Sequence, residues 1–84
     1  MMRHYLTNQH RARVTAPGWE ANILNWHRDG AAFRFRGEDC ALVRQGDGFI
    51  PTLNRKPLCS NPQIPDTALA YIWRAVHNPN HTEL

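Results

Sequence analysis

Apolar and polar residues alternate along the middle of the chain. In AAFRFR (31–36), Phe33 and Phe35 share one face of an extended segment, and Arg34 and Arg36 share the other. Turn signals punctuate this region at Pro17-Gly18, Asp29-Gly30, Gly37-Glu38 and Gly46-Asp47-Gly48. The gaps between them suit strands, and Asp-Gly between extended segments signals a hairpin. RARVT (11–15), EANILNWHR (20–28), AAFRFR (31–36), CALVRQ (40–45) and GFIPTL (48–53) therefore read as an antiparallel meander. Pro51 cannot donate to a ladder, so the last strand is expected at an edge or to stop early. The segment after Pro17 has a competing reading. Trp19, Ile23 and Trp26 also fall at i, i+4 and i+7, a helical stripe. Asn22, Asn25 and the following Asp-Gly favour the strand.

The pattern changes after residue 53. NRKPLCSNPQIP (54–65) holds three prolines and reads as a loop crossing from sheet to helix. PDTALAYIWRAVHN (65–78) has Pro65 and Asp66 to start a helix and Asn78-Pro79 to end it. Leu69, Ile72, Trp73 and Val76 form its apolar face. The division is an N-terminal segment (1–10), a meander (11–53), a Pro-rich loop (54–64), a helix (65–78) and a tail (79–84). The fold class is α+β: one domain, a meander of four to five strands with one C-terminal helix against the Phe33/Phe35 face. The opposite sheet face is left to water or a partner.

Charge sharpens this picture. Ten Lys+Arg stand against seven Asp+Glu, a net charge of +3, and Lys56 is the one lysine among the ten. Arginine dominance favours planar, bidentate contacts to phosphate or carboxylate, and equally fits a GC-rich gene. Period two places Arg34 and Arg36 outward. Arg11 and Arg13 on a first strand, Arg28 closing the second and Arg44 in the fourth could join them on one open face. Like charges side by side destabilise a sheet unless something neutralises them. That something is a partner, or nearby acids such as Glu20, Asp29, Glu38 and Asp39. Tyr71 and Arg74, off the main helix stripe, suggest a second contact surface or a partly buried tyrosine.

Other chemistries fit less well. Cys40, Cys59, His77 and His81 give C-x18-C-x17-H-x3-H. Zinc-finger cysteines are two to four residues apart, and Pro79 interrupts the histidine pair, so no metal is expected. A Cys40–Cys59 bridge is possible by count; a buried and a loop thiol are the plainer reading. His4, His10, His27, His77 and His81 are scattered, with no nucleophile elbow, and Gly46-Asp47-Gly48 lacks the Lys-Ser/Thr of a phosphate cradle. No cofactor and no catalytic residues are expected. No apolar run reaches signal-peptide or membrane-span length. A cytoplasmic protein with reduced thiols is expected, and the initiating Met suggests a complete short gene product.

The chain thus reads as a binding protein and not an enzyme. In size and lack of catalytic groups it resembles small phage or mobile-element proteins that inhibit a host machine, anti-CRISPR proteins among them. That resemblance covers no specific residues and transfers no site. Many such inhibitors are acidic, whereas this chain is basic. The expected partner is an acidic protein or nucleoprotein surface gripped by Arg11, Arg13, Arg28, Arg34, Arg36 and Arg44. The alternatives are a DNA- or RNA-binding accessory protein, or a structural subunit or homo-oligomer. "AFRFR" lacks the full signature of an RNA-recognition motif, and its phenylalanines lie opposite its arginines.

Overall fold

The structure, a computed structural model, describes residues 3–78. The elements in order are α1 (Asn8–Thr15), β1 (Asn22–His27), β2 (Gly30–Phe35), β3 (Glu38–Gln45), β4 (Gly48–Leu53), β5 (Lys56–Pro57) and α2 (Pro65–His77). The strands form one antiparallel sheet in the order β1-β2-β3-β4-β5. The α+β meander and its C-terminal helix are therefore as expected. α2 packs on β4 and β3, and α1 lies against β1.

Residues 11–15, expected as the first strand, belong instead to a helix. Arg-Ala-Arg-Val-Thr mimics a strand's alternation, but tertiary anchors and a cap decide otherwise. Thr7 caps α1: the His10 amide donates to Thr7 Oγ1 (3.4 Å) and the Thr7 amide to His10 Nδ1 (3.0 Å). Histidine here fills the role that glutamate or glutamine usually plays. His10 Nε2 then faces Asp66 Oδ1 at 3.4 Å, and Arg13 reaches the same oxygen at 3.0 Å. Both contacts tie α1 to the first turn of α2. Val14 is the buried residue of α1. The chain then reverses through Pro17-Gly18, where Gly18 takes φ +102°, a region that favours glycine.

The strand reading of Asn22–His27 holds, with a bulge between Ile23 and Asn25. Two further details depart from expectation. β4 is not an edge, because β5 pairs beyond it, so residues 54–64 are not loop throughout. Pro51 is nevertheless harmless. Phe49 exchanges both backbone bonds with Gln63 at 2.8 Å, and Pro51 O accepts from the Leu58 amide at 2.9 Å. Odd-numbered residues of β4 thus turn their backbone groups away from β3, and the donor that proline lacks belongs to that side. The Gln63 strap comes so close that a Cβ on Gly48 would lie 2.7 Å from the Gln63 carbonyl oxygen.

The core lies between the sheet and the two helices. Phe33 and Phe35 from β2, Leu42 from β3, Phe49 from β4 and Leu69 and Ile72 from α2 are buried there. Trp19 stacks on Phe35 with centroids 4.7 Å apart and meets Trp73 at 5.1 Å, closing one end. The N-terminal segment crosses the other end. Its His4 amide donates to Asp47 O (3.0 Å) and its Leu6 amide to Arg28 O (2.9 Å). One face of the sheet is covered by these elements.

Candidate binding face

The six arginines do not share one face. Arg11 and Arg13 sit on α1, because residues 11–15 are helical. Arg28 lies in the two-residue β1–β2 turn, 3.3 Å from Asp29. Arg36 lies in the β2–β3 turn, at φ +54°. Arg34 alone stands on the open face, and its Nη2 pairs with Asp39 directly opposite at 3.0 Å.

Arg44 is the clearest correction. It has the parity of Leu42 and Cys40, so it points to the covered side. Its side chain is only 14% exposed. The guanidinium lies over the Phe49 ring at 4.4 Å and near the Tyr5 ring at 5.1 Å. Its Nη2 donates to Asp29 Oδ1 at 2.9 Å. Desolvation at this corner pushes the Asp29 carboxyl up. Hydrogen bonds from Arg44 and Arg28 and their charge outweigh it and hold the group below its ordinary value. Arg44 is an internal clamp between the N-terminal segment and the sheet.

The uncovered face is floored by small residues. Register places Asn25 and His27 of β1, Gly30, Ala32 and Arg34 of β2, and Asp39, Ala41, Val43 and Gln45 of β3 on it. Thr52 of β4 continues the surface, while Ile50, of the same parity, is buried. Gly30 and Ala32 have too little side chain to fill the pleat, which leaves an open, shallow concavity of about 600 Å³ bordered by Asn25, His27 and Val43. Val43 is 49% exposed and Leu24, at the bulge, 64%. The sequence reading missed this floor by following the arginines. The signal was present, because Ala32 alternates with Phe33, and Ala41 and Val43 alternate with Leu42.

The remaining candidates have local roles. Tyr71 is half-buried, with the Arg74 guanidinium 5.3 Å from its ring centroid. Both cysteines are free thiols, so no bridge joins them. Burial pushes the Cys40 thiol up to about 12, with the Glu38 and Asp39 charges adding to it against a backbone hydrogen bond from Phe35. Cys59 Sγ donates to Asn61 O (3.3 Å). His77 Nδ1 donates to Trp73 O (3.0 Å), and its ring stacks on the indole at 3.9 Å. His81 lies outside the described residues. Among the described residues no group of three or more His, Cys, Asp or Glu could hold a metal, and no helix is long and apolar enough to cross a membrane. Thr7, His10 and Asp66 line up like a hydrolase triad, with Thr7 Oγ1 3.0 Å from His10 Nδ1. That nitrogen already accepts the Thr7 amide, so the arrangement is explained as a helix cap. No family model matches this chain, nor does any curated protein or solved structure.

Proposed function

We propose that this is a small non-catalytic binding protein that docks its open sheet face on a larger protein partner. It would act in the cytoplasm as an inhibitor or regulator of the phage or mobile-element kind. The observation that supports this reading is the exposed apolar centre at Val43, over a floor of alanine and glycine. Side chains of a partner could seat in the space those residues leave, and the Arg34–Asp39 pair and the Asn25 and His27 side chains supply a polar rim. A protein suits this face better than a nucleic acid. Among the described residues the face carries no phenylalanine, tyrosine or tryptophan for a base to stack on, and its one arginine already has a carboxylate opposite it.

The experiment is affinity capture with the wild type and with Val43→Glu and Ala41→Arg. Both positions point away from the core, so the variants should melt like the wild type. A protein retained only by the wild type is then purified and titrated. Loss of at least tenfold in affinity for either variant, with inhibition of the partner's own activity by stoichiometric wild type, supports the reading. Equal affinity of all three chains for that partner overturns it. So does a wild-type dimer in sedimentation that Val43→Glu converts to monomer, because the face would then serve a second copy of this chain.

A further inference from the structure

The β2–β3 and β4–β5 turns leave the sheet at the same end, two strand spacings or roughly 10 Å apart. Each has two residues, and both residues have positive φ: Arg36 (54°) and Gly37 (82°) in one, Asn54 (51°) and Arg55 (71°) in the other. Asn-Gly is the favoured pair for such a turn, because a Cβ is crowded in the left-handed region. Here each turn has one favoured residue and one arginine. The arginine stands first in one turn, where asparagine is preferred, and second in the other, where glycine is preferred. Strain of this kind persists where the side chain serves something besides the fold.

Asn54 couples the two tips. Its amide donates to Asp39 O (2.7 Å), its Oδ1 accepts from the Asp39 amide (3.1 Å), and its Nδ2 donates to Glu38 Oε1 (2.6 Å). The arginines therefore project from a braced platform. Arg36, Arg55 and Lys56 are exposed and make no ion pair among the described residues. Asp39 is engaged by Arg34 and Glu38 by Asn54. The tips expose no large apolar side chain, which a protein interface would need at its centre, and no aromatic ring for unpaired bases. Positive charge on a rigid frame is what remains. A duplex presents dense phosphate, to which guanidinium groups bind bidentately and without sequence preference.

We propose that this end of the sheet, through Arg36, Arg55 and Lys56, binds the phosphate backbone of a nucleic-acid duplex. It is a surface separate from the open face, and a partner that combined protein and duplex could engage both. The test uses Arg36→Asn with Arg55→Gly, which gives each turn its preferred pair. The double variant should melt a few degrees higher than the wild type. Its affinity for a short fluorescein-labelled DNA duplex, followed by anisotropy, should fall at least about tenfold, and its log–log salt slope should drop by about 2. A rise in melting temperature excludes unfolding as the cause. Val43→Glu should bind the duplex like the wild type, which keeps this proposal distinct from the previous one. The proposal is overturned if the wild type ignores the duplex at low salt, or if the double variant binds it equally well. It is also overturned if poly-glutamate binds as tightly and loses as much, since the site would then read acidic protein.

Discussion

The guanidinium of Arg44 lies 4.4 Å from the centroid of the Phe49 ring, its direct partner across the β3–β4 ladder. A cation thus occupies a position on the covered face two residues after the buried Leu42. The arrangement works because the planar group stacks between rings while its edge reaches Asp29.

Removing that side chain should be expensive for a small domain. Arg44→Ala loses both ring contacts and the Asp29 bond, and should lower stability by about 2 kcal/mol in urea. Arg44→Lys should fall between, since an ammonium keeps the charge but cannot stack edge-on to a carboxylate. If both variants unfold at the wild-type midpoint, the N-terminal segment is held by something other than this clamp.

Adjacent positions in β2 should respond in opposite ways. Phe33 is fully buried, so Phe33→Ala should cost roughly 3–5 kcal/mol. Arg34 pairs with Asp39 in solvent, so Arg34→Ala should change stability by no more than about 1 kcal/mol. Chemical denaturation of the two variants side by side checks this, and similar losses would mean that the two faces are wrongly assigned.

The thiols should separate by reactivity. Cys40 is buried and its ionisation is pushed up to about 12, while Cys59 lies half-exposed in the loop. A thiol reagent at mildly alkaline pH should label Cys59 quickly and Cys40 only after denaturant is added. The same shift has a signed consequence for stability. The unfolded thiol ionises near 9 and the folded one near 12, so the folded state binds the extra proton between them. Stability should therefore fall as pH rises from 9 towards 12, by at most about 1.4 kcal/mol per unit from this group. The gap between wild type and Cys40→Ala should narrow over that range, and a constant gap would show that the buried thiol does not titrate.

Much of this molecule was legible from alternation alone. Turn residues and period two identify β1 to β4 and the Phe33/Phe35 core face, and the helical spacing of Leu69, Ile72, Trp73 and Val76 identifies the apolar stripe of α2, because each is a local pattern that the backbone must satisfy. Parity also contained the position of Arg44, which follows Leu42 by two residues, although its charge suggested solvent. The tertiary structure decided the rest. Arg-Ala-Arg-Val-Thr alternates like a strand, yet it is helical because Thr7 and His10 cap it and Asp66, more than fifty residues on, receives Arg13. Tyr5 and Phe49 meet around Arg44 only once the N-terminal segment has crossed the sheet end. Arg36 and Arg55, far apart in the chain, become neighbours because β3 and β4 run up and back between their turns. Short-range pattern sets which way a side chain points along its own strand. Long-range register sets which side chains it then meets.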